Sequence, residues 1–410
     1  MTLIVQKYGG TSVGSLALMR NVASRVAEVH GRGEGIVVVA SAMGDETDRL
    51  LDLARAVDAR PEPRELDALL ATGEQVSVAL LAMVLRSIGI PALSYTGGQV
   101  RVQTSPIHGK ARIEGVETQR LREDLRCGRV PVVAGFQGVN AQGDVTTIGR
   151  GGSDTTAVAL AVALEADECQ IYTDVDGVFT TDPRMVPEAR CLSRVSFEEM
   201  LELAGQGSRV LHLRAVEFAR KYNMPLRVAS AFRTSPGTLI CDEEATVEAP
   251  VVSGIAFNRD EAQITVSGLP DAPGTVYRVL KPVSDAHIEV DMIVVSTARK
   301  GRCDLSFTVH RDDYVQTRGI VENLIQGFPE STLETNDQVA KLSAVGVGMR
   351  SHAGVATRMF ETLAKEGIDV RLVSTSEIRI SVLVEEEKLE RAVRALHQTY
   401  GLGAQAPNAV

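Results

Sequence analysis

The strongest constraint on this chain is alternation. Over residues 1–240, short apolar runs that read as strands alternate with stretches that read as helices. The runs lie at 3–5, 36–40, 92–95, 131–136, 170–173 and 226–229, with helical stretches between most of them, including 64–88 and 155–165. Such a pattern predicts an α/β layered domain with a mostly parallel sheet. Ligands of such sheets sit beyond the carboxyl ends of the strands, so chemistry is sought in the residues directly after each run.

The first of these places is Lys7-Tyr8-Gly9-Gly10-Thr11-Ser12. Ser15 is placed to cap a helix whose apolar positions Leu18, Met19, Val22, Ala23, Val26 and Val29 recur at helical spacing. Adjacent glycines let backbone N–H groups approach an anion, a helix N-terminus adds a positive dipole end, and the lysine adds a full charge. Phosphate is the expected anion, although a lone Gly-Gly pair also makes an ordinary turn.

Three more strand ends carry small, hydroxyl or charged residues. They are Ser41-Ala-Met-Gly-Asp-Glu-Thr47, the stretch from Gln137 through Thr146 to Thr156, and Asp174-Val-Asp-Gly177 with Thr181-Asp-Pro-Arg184. Within the second, Arg150-Gly151-Gly152-Ser153-Asp154 precedes a helix. Its glycines and serine can offer N–H groups, and Asp154 can hold Mg²⁺ or orient Lys7 or a substrate ammonium. As a plain structural residue, Asp154 would be an N-cap. Glu74 opens an apolar helix, and a carboxylate paired with the cation Arg150 suits the two ends of a zwitterionic amino acid.

The absences narrow the chemistry. There is no G-x-x-x-x-G-K-[ST], no H-R-D or D-F-G, no G-x-S-x-G and no H-E-x-x-H. The seven histidines are scattered singly, with His108 and His212 the two that can border a cleft. A phosphoryl transfer needs alignment and positive charge more than covalent help. With no evident general base, a carboxylate acceptor fits, since an Asp side chain with a pKa near ~3.9 is already ionised at pH 7. A net charge of −10 argues against nucleic-acid or membrane-surface partners. Five dispersed cysteines without a CxxC, no visible signal peptide and no apolar run of spanning length predict a cytoplasmic protein.

Residues 242–250 are acidic, end in proline and read as a linker. Beyond it the chain repeats at an offset of 80 residues. Gly274 matches Gly354, and Val276, Val279, Leu280 and Val283 match Ala356, Met359, Phe360 and Leu363. Each copy predicts a strand, a glycine turn, an amphipathic helix and two strands, with Pro282 expected to end or kink the first copy's helix early. The expected layout is a catalytic domain over 1–241 and two small units over 251–335 and 336–410. The small units carry no cluster of catalytic residue types, which predicts a regulatory or oligomeric role.

Taken together, Lys7-Tyr-Gly-Gly-Thr-Ser12, Ser41-Ala-Met-Gly44 with Thr47, Thr72-Gly-Glu74, Ala134-Gly-Phe-Gln-Gly138, Thr147-Ile-Gly-Arg-Gly-Gly-Ser-Asp154, Tyr172-Thr-Asp-Val-Asp-Gly177 and Thr181-Asp-Pro-Arg184 resemble the aspartate kinases of the amino-acid kinase fold. The similarity spans essentially the whole chain, and the repeat resembles their paired ferredoxin-like α+β ACT domains. The resemblance implies ATP- and Mg²⁺-dependent phosphorylation of the L-aspartate side chain, the first step toward lysine, threonine and methionine. Glutamate or acetylglutamate kinase, or a catalytically dead sensor, are the competing readings.

By this resemblance Lys7 stabilises the transferring phosphoryl group, with Asp154 and Ser41 beside it. Glu74 takes the substrate ammonium and Arg150 its α-carboxylate, Thr47 helps place the reacting carboxylate, and Gly151, Gly152 and Ser153 also bind substrate. Tyr8, Gly9, Gly10, Thr173, Asp174, Phe179, Asp182, Arg184 and Arg209 border the nucleotide. No protein-only metal site is implied. Asp271, Gly274, Asp291, Ser351, His352, Gly354, Ser374, Thr375, Ser376 and Glu377 form effector loops for threonine or lysine, and the ACT-like units imply a homo-oligomer. Arg209 replaces a frequent lysine, Ala353 a common proline, and Val295 a frequent glutamine. Val276 is bulkier than some relatives' residue there. Valine lacks an amide's hydrogen bonds, so effector control is less firmly implied than catalysis.

Overall fold

The computed structural model describes residues 2–208, 210–242, 251–296 and 301–403. Arg209, residues 243–250 of the expected linker and the side chain of Ser351 lie outside the described residues. The chain divides into two compact units, one of residues 1–178, 191–204 and 209–245, the other of 179–190, 205–208 and 246–410.

The first unit begins β1 (Leu3–Tyr8), α1 (Leu16–Gly31), β2 (Gly35–Ala40), α2 (Glu46–Val57), α3 (Pro63–Leu70) and α4 (Thr72–Ser87). It continues β3 (Ala92–Tyr95), β4 (Val102–Thr104), β5 (Ile113–Val116), α5 (Gln119–Arg126), β6 (Val130–Ala134), β7 (Gln137–Val139) and β8 (Val145–Thr147). It closes with α6 (Gly152–Leu164), β9 (Glu168–Thr173), β10 (Arg194–Ser196), α7 (Phe197–Gly205), α8 (Leu213–Lys221), β11 (Leu226–Ser230) and β12 (Thr238–Cys241). Among the described residues these form an eight-stranded sheet, ordered β10-β12-β11-β9-β1-β2-β6-β3. The run from β11 to β3 is parallel throughout, and only β12 against β11 is antiparallel.

A parallel sheet must be covered on both faces. Helices α1 and α4 pack their Met19, Val22, Val26, Val78, Leu81 and Leu85 on one. The other receives α6, whose sequence is apolar all round after its first turn and is almost wholly buried. The Pro63–Ser87 stretch is long and apolar enough to cross a membrane, yet half of it is buried within the unit, as in a core helix. A second, four-stranded sheet, β5-β4-β7-β8, is an addition to the expected architecture. Its strands have only three or four residues, too few for a readable alternation.

The second unit contains β13 (Gly254–Pro270), α9 (Thr275–Asp285), β14 (Val290–Val295), β15 (Arg302–His310), α10 (Tyr314–Ile325), β16 (Thr332–Val345), α11 (Val355–Lys365), β17 (Leu372–Thr375), β18 (Arg379–Glu385) and α12 (Leu389–Thr399). Its sheet runs β14-β15-β13-β16-β18-β17. The two copies share its central strands. Residues 254–258 of β13 pair with 341–345 of β16 in the half covered by α11 and α12. Residues 261–267 pair with 332–339 in the half covered by α9 and α10.

The repeat is visible in backbone angles. Gly274 (φ +88°) and Gly354 (φ +95°) cap α9 and α11 in the same left-handed conformation, where a side chain would be strained. Each copy also gains a second helix, α10 or α12, beyond the expected pattern. Pro282 does not end α9 early, because it falls in the last turn and removes only one hydrogen bond. α9 ends at Asp285, the counterpart of Lys365 that ends α11.

Two other features complete this unit. Met185 and Val186 join the core under α11 and α12, and Thr180 Oγ1 lies 3.0 Å from His397 Nε2. Lys341, only 3% exposed, is held between buried Glu261 (3.2 Å) and Asp291.

Candidate active site

Four neighbouring parallel strands, β9, β1, β2 and β6, end together and bring Thr173, Lys7, Ser41 and Gly135 to one edge of the sheet. Lys7, one residue from the end of β1, points toward α6, where its Nζ meets Asp154 Oδ1 at 2.6 Å. Both residues are 9% exposed.

The loop after β1 packs directly on the loop after β2. Gly44 N–H donates to Gly10 O at 3.1 Å, and a Cβ on Gly10 would lie 2.9 Å from Ala42 O. Strand, glycine turn and Ser15-capped helix follow in the expected order, with an added 3₁₀ turn between them. Residues 10–12 form one 3₁₀ turn, and α1 starts only at Leu16, capped by Ser15 Oγ on Leu18 N–H at 3.3 Å. The helix N-terminus at the site is that of α6.

Gly151 caps α6 in the left-handed conformation (φ +70°). Gly152 N–H is used internally, donating to Gly149 O at 2.9 Å, which leaves the first-turn N–H groups of Ser153 and Asp154 without helical partners. Asp154 is the third helical residue and not the cap.

Glu74 enters from the first turn of α4, with 2% exposure. Its Oε1 accepts Ala42 N–H at 3.1 Å, while its Oε2 is buried without a hydrogen-bond partner. Desolvation pushes its carboxyl up to about 7, against the opposing pull of that N–H. Glu74, Asp154, Thr47, Ser41 and Gly10 line one cavity of about 230 Å³ together with Phe136 and residues 149–154. Arg150 lies exposed at its wall and pairs with no carboxylate among the described residues. A larger cavity of about 390 Å³, between α1 and β9, includes none of the residues assigned above to substrate, nucleotide or effector.

The other candidates fall as follows. The Tyr8 side chain is fully buried, stacked on Tyr172 at 4.9 Å with its hydroxyl on Gln6. Only its backbone reaches the strand ends, through Ser41 N–H to Tyr8 O at 3.1 Å. Gly9 N–H donates to Tyr172 O at 3.3 Å. Thr173 Oγ1 donates to Asp174 Oδ1 at the end of β9. Phe179, Asp182 and Arg184 fold with the second unit, where Arg184 holds the Asp182 carboxyl below its usual range.

Of the effector candidates, Asp271 N–H donates to Gly301 O, and Asp291 is engaged by Lys341. His352 Nδ1 lies 2.8 Å from Gly348 O, and Glu377 lies 3.2 Å from Arg350. Ser374 and Thr375 lie on β17, and Ser376 N–H donates to Arg379 O.

Sequence reading missed Asp67 and Arg214. Buried Asp67 on α3 accepts from Thr147 N–H (3.0 Å), Thr147 Oγ1 (2.5 Å) and Gly109 N–H (3.0 Å), and His108 Nδ1 lies 2.8 Å from it. His108 thus braces the neighbouring loop. The available signal was a lone carboxylate among leucines. Arg214 Nη1 donates to Ile148 O at 2.7 Å. His212, the cap of α8, packs on Gly151, where a Cβ would lie 2.2 Å from the ring, and burial lowers its pKa. No cluster of three His, Cys, Asp or Glu suited to a metal occurs among the described residues.

The profile of the amino acid kinase family matches residues 2–230, and an ACT-domain profile matches residues 342–400. The chain is 57% identical over 409 residues to aspartate kinase of Pseudomonas fluorescens, with 99% of each chain covered. The chain belongs to the aspartate kinase family. It is 50% identical over 408 residues to aspartokinase of Mycolicibacterium smegmatis, covering 98% of this chain and 97% of that one. Among solved structures it resembles E. coli aspartokinase III in complex with aspartate and ADP, with a TM-score of 0.79, 26% identity and coverage of 97% and 99%. Aspartate kinases transfer a phosphoryl group to a carboxyl acceptor, and this chain is a phosphotransferase of that kind. The same comparisons set the fold as an amino acid kinase domain followed by ACT domains.

Proposed function

We propose that the protein transfers the γ-phosphoryl group of ATP to the side-chain carboxylate of L-aspartate, giving 4-phospho-L-aspartate and ADP, the first step toward lysine, threonine and methionine. The observation that carries this reading is that one cavity holds a buried Glu74 carboxylate oxygen and the Arg150 guanidinium, neither with a partner among the described residues. A free amino acid presents an ammonium and a carboxylate, and satisfies both. The E. coli relative's complex with aspartate and ADP supports the same substrates.

In this reading Glu74 and Arg150 fix the two ends of aspartate, and Thr47 with residues 151–153 steers its side chain toward Lys7. The acceptor is already ionised, so no base is required. Lys7 moves positive charge onto the transferring group, with the open N–H groups of α6's first turn beside it. Asp154 holds the Lys7 ammonium in place. Phosphate-bound Mg²⁺ takes few protein ligands, and the single carboxylate of Asp154 fits that donor set. The ion would neutralise phosphate charge there.

We further read residues 1–241 as the catalytic domain and 251–335 and 336–410 as paired regulatory units through which the chain assembles with copies of itself. The E. coli enzyme's complex with lysine and aspartate supports an amino acid as effector. We place the protein in the cytoplasm. The test is ADP release from Mg·ATP and L-aspartate, with hydroxylamine trapping the acyl phosphate, repeated with lysine and with threonine. Aspartate-dependent release with trapped hydroxamate is expected. Turnover with glutamate or acetylglutamate instead would overturn the substrate.

A further inference from the structure

We propose that Arg214 is a positioning residue for substrate recognition: its guanidinium grips the turn that carries Arg150 and sets where Arg150 meets the α-carboxylate. The inference rests on the reading of Arg150 given above. Of its own that turn has one backbone bond across Arg150, Gly152 N–H to Gly149 O at 2.9 Å. Gly149 (φ +84°) and Gly151 (φ +70°) flank Arg150, and both adopt conformations that cost glycine nothing to leave. Arg150 is exposed and has no ion-pair partner among the described residues, so its aim depends on what holds the turn.

Several contacts hold it, Ile148 N–H to Phe136 O at 2.9 Å among them; Arg214 makes one directly and braces a second. Arg214 donates from Nη1 to Ile148 O at 2.7 Å and from Nη2 to Ala111 O at 3.1 Å. Ala111 N–H in turn donates to Thr147 O at 3.0 Å, which closes a ring through the guanidinium. The planar two-pronged group spans both carbonyls, whereas a lysine ammonium on a flexible stem would hold one loosely. On the same helix end, the His212 ring fills the space beside Gly151. Asp67 fixes the preceding Thr147 from the opposite side. Arg214 is thus a hydrogen-bonded link between α8 and the turn, with both its bonds made to backbone and none to substrate-facing side chains.

The test is steady-state kinetics of Arg214→Lys, Arg214→Met, Arg150→Met and the double variant Arg150→Met/Arg214→Met, with thermal midpoints measured alongside. We expect both Arg214 variants to raise KM for aspartate about tenfold, the size of one lost hydrogen bond to a charged group. Their kcat and KM for ATP should stay within about twofold, a split that general loss of structure would not give. If Arg214 acts through Arg150, the double variant should be no worse than Arg150→Met alone. Additive losses, or an equal rise in KM for ATP, would overturn the proposal. An unchanged KM for aspartate in Arg150→Met would instead sink the reading of Arg150, and this proposal with it. A raised KM there with an unchanged one in Arg214→Lys would sink the positioning role alone. Should Arg214→Met not fold, Arg214→Lys and its double with Arg150→Met carry the same comparison.

Discussion

Glu74 is kept ready for a cation at the expense of the free protein. Its carboxyl titrates at about 7 in the folded chain, against an ordinary 4.5. Between those values the folded state binds more protons than the unfolded one, so stability falls as pH rises through this window, by roughly 3 kcal/mol in all. Glu74→Gln removes the titration while keeping the shape. Its melting temperature should exceed that of the parent at pH 8, and the gap should close toward pH 4.5. The same variant should raise KM for aspartate about 10- to 100-fold, having lost a charged partner for the ammonium. In the parent, kcat/KM for aspartate should fall about tenfold per unit below pH 7, as Glu74 takes up its proton. A flat profile from pH 5 to 8 would contradict this role.

Lys7 behaves differently, because it already has a partner. Lys7→Ala should lower kcat by about 10³, the scale for one lost electrostatic stabiliser. It also strands Asp154 in a nearly buried position, with a cost of about 3–5 kcal/mol. Lys7→Ala/Asp154→Ala should therefore recover melting temperature without recovering activity, as calorimetry and single-turnover assays would show. The sequence made Lys7, Glu74, Arg150 and Asp154 legible because each is a charge at a strand end or at the opening of a helix. Arg214 and Asp67 were not legible, because their partners are distant in sequence and, for Arg214, are backbone carbonyls.

At the scale of elements, α4 is placed by a residue with no side chain. A Cβ on Gly73 would lie 2.9 Å from the Ala42 Cβ, with Leu50 and Glu46 close behind. By propensity alone, Gly73→Ala should stabilise the helix by about 1 kcal/mol. The clash outweighs that gain, since overpacking costs about 1–3 kcal/mol. Melting temperature should fall, and the Glu74 to Ala42 bond should loosen, read as a rise in KM for aspartate. The larger elements were legible from periodicity, with β2, β3 and α6 found within a few residues. The four-stranded sheet, α10 and α12 were not. Three-residue strands show no period, and the second helix of each copy lies beyond the stretch in which the two copies were matched.

At the scale of the whole chain, the expected boundary near residue 241 meets a physical obstacle. Residues 179–190 precede it in sequence but are folded with the second unit, where Met185 and Val186 are buried beneath α11 and α12. A chain ending at Cys241 would leave these side chains without cover. Such a fragment should show rapid hydrogen exchange across 179–190 and bind a hydrophobic dye, where the full chain does neither. Slow exchange there in the fragment would mean that the segment has an alternative partner.

The shared strands carry a consequence for synthesis. Residues 254–258 leave the ribosome early, yet their neighbours in β16, 341–345, follow more than 80 residues later. The first strand of the repeat is thus among the last to be completed, and the half-sheet under α11 and α12 is closed by the oldest part of the repeat. Loop closure over that distance is slow relative to the local pairing of β14 with β15. A nascent chain that has emerged only as far as residue 340 would have one finished half and one open strand edge. That exposed edge is the stage at which this chain has most need of a chaperone.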